Sequence, residues 1–192
     1  MGVYSYCRTL LNEASYKAPS IPYTIDRFVT VTSNDGMDNV CLYLKGSDTL
    51  FRARSELLIF KDDLIFLDFK SRPNEYRVPG GGWDDIDRSH AESAIREAQE
   101  EARINVKDVT YYGLDVHSEQ PHGWVKKKIP KDQWWYGYYT EVYIGYYDGE
   151  HKGKVEEIDK DSMYKNGDWY RVSEIYDKLK PIHREAVSSL NP

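Results

Sequence analysis

The spacing of apolar residues along the chain follows two periods. From Tyr23 the pattern is that of strands. TIDRFVTVT and NVCLYLKG read as two strands joined by the turn SNDGMD. RSELLIF and LIFLDFK follow as a hairpin, with Lys61, Asp62 and Asp63 as its turn residues. SRPNEYR is a loop, and VPGGGWDDIDR is a longer one rich in glycine. The period changes at Ser89. Ala91, Ala94, Ile95, Ala98 and Ala102 recur every three to four residues and predict an amphipathic helix. Ser89 and Glu92 form an S-x-x-E capping box that opens it. DVTYYGLDVH then reads as one strand or a pair, and WWYGYYTEVYIGYYDGE as a long strand, with Trp134 and Trp135 on opposite faces. Between them SEQPHGWVKKKIPKDQ is a polar insertion. GKVEEIDKDSMYKNG is a polar loop, DWYRVSEIYDKL passes from a short strand into a helix, and PIHREAVSSL is a last helix begun at Pro181. Interleaved strands and helices predict an α/β fold, a mixed sheet with helices packed over it. Residues 1–20 are weakly patterned and read as a peripheral arm or a short helix.

Composition narrows the function classes. The 192 residues suffice for one well-cored domain without metal or disulfide staples. With 26 basic and 32 acidic residues the net charge is −6, which disfavours a surface that coats DNA or RNA. No run of 18 apolar residues is present, so no membrane helix is expected. The start lacks the basic head and apolar run of a secretory signal, and a cytoplasmic chain is expected. Cys7 and Cys41 have no CxxC partner and read as free thiols.

The predicted helix carries the candidate chemistry. At about 100° per residue, Glu97, Glu100 and Glu101 share one wedge of the wheel, beside the apolar stripe. Glu97 and Glu101, like charges four residues apart, repel by about 0.2–0.5 kcal/mol unless a cation sits between them. A hard divalent cation with oxygen ligands reverses that sign and bridges to phosphate. Arg96 is spaced to pair with Glu92 and with Glu100, holding one carboxylate while its neighbours bind metal. Three glycines, Gly80 to Gly82, stand just before the helix, where backbone can approach a ligand closely.

These residues, GWDDIDRSHAESAIREAQEEARI from Gly82 to Ile104, resemble the Nudix box, G-x5-E-x7-R-E-U-x-E-E-x-G-U with U a bulky aliphatic. The resemblance implies a Nudix-like α/β/α sandwich over residues 51–192, with residues 1–50 as an N-terminal extension containing strands. It implies hydrolysis of a phosphoanhydride bond in a nucleoside diphosphate linked to a moiety X: an NTP, ADP-ribose or a nucleotide sugar. It further implies Mg²⁺ or Mn²⁺ held by Glu97, Glu100, Glu101 and the carbonyl of Gly81, or of Gly80 if the loop is slipped by one residue. Arg96 then positions Glu97 or Glu100, and Glu157 or Glu156 in the late loop, or Glu141, supplies a base or a further ligand. The pattern is broken at three places. Its first Glu falls on Arg88, with Asp87 one residue away; its aliphatic is Ala98; its final Gly is Arg103, with Asn105 a candidate to take the left-handed cap. Those breaks motivate an alternative, a weak or inactive nucleotide-binding module on the same fold.

For the substrate, Gly82 and Trp83 stand next to the expected phosphates, Trp124 and Lys126 lie in the polar insertion, and Trp135 is a candidate base-stacking ring. The N-terminal strands are expected to cap the pocket or to form a homodimer.

Overall fold

The computed structural model describes residues 23–69, 76–84, 87–151 and 167–190. Its centre is β3 (Leu50–Lys61), a strand buried on both faces. On one side β3 runs parallel to β8 (Gly137–Glu150), from Arg52 opposite Tyr138 to Phe60 opposite Tyr146. Its other side is shared in turn by β2 (Asp38–Leu44), β6 (Gly80–Gly82) and β4 (Leu64–Phe69), all antiparallel. β1 (Ile25–Thr32) extends the sheet beyond β2, while β5 (Tyr76–Arg77) and β9 (Gly167–Arg171) pair with β4. β7 (Ile104–Ser118) pairs with β8 along its length, with three register shifts. The sheet is mixed, as the pattern of elements predicted.

Side chains of β3 alternate between two faces. Ser55, Leu57 and Ile59 meet α1 (His90–Ala102), whose Ala94 and Ala98 are completely buried. The small alanines let the helix lie close, and Ser55 Oγ donates to Ser93 Oγ at 3.0 Å across the contact. Leu58 and Phe60 pack on the opposite face with Ala186 and Val187 of α4 (Pro181–Leu190). Helices on both faces make the α/β/α sandwich. The strands of the N-terminal extension are continuous with this sheet, and Phe28 of β1 packs on Trp83 at 5.1 Å.

Several local expectations change. Gly80–Gly82 is a short strand, not a loop, because Trp83 N–H donates to Ala53 O and Leu57 N–H to Pro79 O on either side of it. The polar insertion folds as α2 (Gly123–Lys128) and one 3₁₀ turn, and it buries Val125, Ile129 and Trp135 against the sheet. Trp134 and Trp135 precede β8 and belong to one apolar cluster, instead of facing opposite ways from a strand. Arg103 itself takes the left-handed cap, φ 57°, and Asn105 does not. α3 (Val172–Ile175) follows β9 directly. The N-terminal arm, Cys7 and the late loop with Glu156 and Glu157 lie outside the described residues; Cys41 is a buried free thiol. Among the described residues no helix is long and apolar enough to cross a membrane.

Candidate active site

The site is built on β6 and the face of α1 beside it. In an antiparallel ladder alternate residues direct both backbone groups to the partner. With Ser55 opposite Gly81, the flanking bonds at Trp83 and Pro79 make Gly81 the inward residue, and Gly80 and Gly82 turn their amides and carbonyls to the free edge. Gly80 N–H donates to Glu101 Oε2 at 3.1 Å. Gly82 O accepts from Arg96 Nη2 at 3.1 Å and from Ser93 Oγ at 3.3 Å. A Cβ on Gly81 would run into the Glu97 carboxylate, and one on Gly82 into the Arg52 guanidinium. The glycines are needed for this close approach, on both faces of one short strand.

α1 begins at Ser89, whose hydroxyl accepts from Glu92 N–H at 3.2 Å. Glu92 returns the bond one residue early, to Arg88 N–H at 2.8 Å, and so is not the partner of Arg96. Arg96 is held instead by Asp87. Its Nε donates to Oδ1 at 3.1 Å and its Nη2 to Oδ2 at 3.0 Å, a two-point fork on a carboxylate 5% exposed. Nη1 donates to Glu97 at 3.2 Å and to Glu100 at 2.9 Å, and Asp84 lies 3.3 Å from Nη2. Burial works against the guanidinium charge, but Asp87, Glu97 and Asp84 outweigh it and hold the pKa above the ordinary arginine value. Asp87, one residue before the motif position at Arg88, is thus the carboxylate that holds Arg96.

Glu97 has the opposite condition. Burial pushes its carboxyl up to about 7 against the pull of Arg96, and Glu100 and Asp84 add to the rise. Among the described residues no three acidic, His or Cys side chains gather closely enough to hold a metal ion. Arg96 bridges Glu97 and Glu100, and Glu101 turns to Gly80 N–H. The donors nevertheless suit a hard cation. Glu97 and Glu101 both reach the glycine strand, the Gly80 carbonyl points to the same edge, and every donor is oxygen. A buried carboxylate crowded by two others is short of positive charge, which a divalent ion supplies.

The predicted substrate residues separate. Gly82 stays at the site, but its carbonyl is taken by Arg96 and Ser93. Trp83 does not face a substrate: it is buried between Phe28 and His90, its ring 4.4 Å from the latter, because β1 covers it. Trp135 is 2% exposed and lies beneath Arg52, with Trp124 at 6.0 Å, so its faces are closed to a base. Trp124 and Lys126 are exposed on α2. Glu141 is engaged under the start of α1, by His90 Nδ1 at 3.3 Å and by Tyr143 OH at 2.5 Å. Glu157 lies outside the described residues.

Arg52 and Arg54, absent from the motif, also stand near the glycine strand. Their signal was the alternation F-R-A-R-S at the start of β3, which sets two cations on one face of a strand whose other face is core.

A family model described as the NUDIX domain matches residues 49–190. Among solved structures, the MutT protein from Bacillus halodurans superposes with a TM-score of 0.50 at 19% identity, over 71% of this chain and 79% of that one. A NUDIX hydrolase from Nitrosomonas europaea gives a TM-score of 0.49 at 15% identity, covering 72% and 86%. A protein described as an ADP compounds hydrolase gives 0.45 at 18%, covering 90% and 93%. No curated protein matches the chain. With the family model spanning most of its length, the chain belongs to the NUDIX family and is a Nudix-type hydrolase.

Proposed function

We propose that this protein hydrolyses a phosphoanhydride bond in a nucleoside diphosphate linked to a further group, an NTP, ADP-ribose or a nucleotide sugar, with Mg²⁺ or Mn²⁺. The observation that carries the reading is the clamp on Arg96. Asp87 and the Gly82 carbonyl fix the guanidinium, and its remaining edge orients Glu97 and Glu100 beside the glycine strand. Glu97, Glu100, Glu101 and the outward carbonyl of Gly80 are the residues to hold the cation. The ladder turns Gly81 O toward Ser55, which favours Gly80 over Gly81 for this role. The cation supplies charge neutralisation at the phosphates and lowers the pKa of a bound water. Arg96 positions carboxylates and does not touch substrate. Glu157 is the candidate base from the late loop.

The test is the metal-dependent rate across NTPs, ADP-ribose, nucleotide sugars, dinucleoside polyphosphates and capped RNA. Glu101→Gln is expected to lower the best rate by about a hundredfold or more with the fold intact by circular dichroism. Turnover near that of the unaltered protein would refute the assigned role. A second reading, a nucleotide-binding module of little activity, is favoured by one feature, the Arg96 bridge that occupies Glu97 and Glu100. Absence of turnover over the whole panel with nucleotide still bound would select it. We read the compartment as the cytoplasm. The free edge of β1, which pairs only with β2 among the described strands, is where a second copy would add in a homodimer.

A further inference from the structure

Arg52 and Arg54 stand two residues apart on β3 and therefore share the face that further along carries Glu56 and Leu58. Both are partly buried, and the Nε of each is shielded from water with no hydrogen-bond partner. Among the described residues no hydrogen bond or ion pair reaches either guanidinium. Each guanidinium lies against an aromatic ring, Arg52 at 5.5 Å from Trp135 and Arg54 at 5.1 Å from Tyr138. The rings fix the planes and leave the N–H edges without acceptors. Glu56, the acid next along this face, directs its two oxygens to Lys180 at 2.7 Å and His183 at 2.9 Å.

Two adjacent cations in this condition are unfavourable unless something negative completes them. Burial, followed by the like charge of Arg54, holds the Arg52 pKa below the ordinary value. The location is equally specific. Arg52 lies against Gly82, and the Glu97 carboxylate lies against Gly81. Adjacent Cα atoms are about 3.8 Å apart. The two groups stand on opposite faces of the strand, so a chain of phosphoryl groups meets both by passing over its free edge. A terminal phosphoryl carries about −1.5 to −2 charges at pH 7, and its oxygens match guanidinium forks. A phosphoryl substituted at both ends carries a single charge.

We propose that Arg52 and Arg54 bind a terminal, dianionic phosphoryl group of the substrate, so that the site selects polyphosphates with a free end over diphosphates substituted at both ends. The proposal rests on the hydrolase reading for what lies at the carboxylates. It is tested apart from activity, by following the arginine Nε–H resonances of the full chain in EDTA while inorganic pyrophosphate or P1,P2-dimethyl diphosphate is added. Pyrophosphate is expected to shift the Arg52 and Arg54 signals and to saturate at about tenfold lower concentration than the dimethyl compound. Arg52→Gln and Arg54→Gln should each weaken pyrophosphate binding by about tenfold, and Lys107→Gln, at an exposed lysine outside the site, should leave it in place. Arg52→Lys, which keeps the charge and loses the fork, serves if a Gln variant fails to fold, and should bind with intermediate strength. Equal saturation by the two compounds, or undiminished binding in the arginine variants, overturns the proposal. If binding behaves as expected and no nucleotide is hydrolysed, the hydrolase reading falls and the anion site stands.

Discussion

Two arginines flank the glycine strand, and their surroundings are opposite. Arg96, on the helix side, is met by Asp87, Glu97, Glu100 and the Gly82 carbonyl. Arg52, on the other face, is met by a tryptophan ring and by another arginine. The same contrast recurs along β3, where Glu56 is paired twice and Arg54 is not paired at all among the described residues. A buried charge with a full set of partners holds elements together, and removing it leaves those partners stranded. A partly buried charge without partners adds little to the fold and much to the binding of whatever completes it. The charged residues near β6 therefore divide into those whose loss should disturb structure and those whose loss should disturb affinity.

The largest expected effect lies at Glu56, which ties β3 to the start of α4 across more than a hundred residues of chain. Burial opposes its ionisation, but His183 and Lys180 prevail and hold the carboxyl well below the usual range. Glu56→Gln should destabilise by about 3 kcal/mol, the low end for a broken buried pair because Lys180 is half exposed. Urea unfolding checks this. The sign with pH follows from the depressed folded pKa. The contribution is full above the carboxyl pKa of the unfolded chain and is lost as pH falls toward the folded value, so the gap between variant and parent should close in acid. A gap that widened in acid would show that Glu56 is not the charged partner, and that a paired charge on β3 does not hold the fold.

Asp87 tests the same division at the site. Asp87→Ala removes the fork that fixes Arg96 without touching a candidate metal donor. Activity should fall by about tenfold to a hundredfold, the range seen when an outer-shell partner of a ligand is lost. Arg88→Ala should do little, since the bond that Glu92 accepts there comes from the backbone amide, which the substitution keeps. The reverse ranking in steady-state kinetics would mean that Arg96 is positioned by something other than Asp87.

The helix and its acids were legible because periodicity and charge are local: Ser89, the alanine stripe and the three glutamates all act within one element. So was the hairpin turn, where Asp62 takes φ 56°. The tryptophans were not, because their burial depends on strands far away in sequence. Trp83 is covered by Phe28, and Trp135 by Arg52 together with α2. The lysines give the insertion a polar pattern, yet Val125 and Ile129 lie on its buried side, and a segment this short gives too few periods to reveal a face. Nothing in three glycines favours pairing, so the sequence predicts a loop there; the register of β3 imposes the strand.

A third arginine, Arg103, lies in neither surrounding, and its loss should change the least. Arg103 is exposed, and its contribution comes from the backbone, which sits at φ 57° and ψ 38° while its N–H closes the helix onto Ala98 O. A non-glycine residue in that conformation costs about 1 kcal/mol, since Cβ crowds the carbonyl. Arg103→Gly relieves the strain but gives the unfolded chain more freedom, so the net gain should be about 0.5 kcal/mol, read as a small rise in Tm with activity unchanged. If exposure and lack of a buried partner are what make a charge dispensable, deleting this guanidinium cannot lower stability. A fall in Tm for Arg103→Gly worth more than the roughly 1 kcal/mol that the unfolded chain's added freedom can cost would show that a solvated arginine can hold this fold together, and pairing would no longer be the measure that separates Arg96 from Arg52.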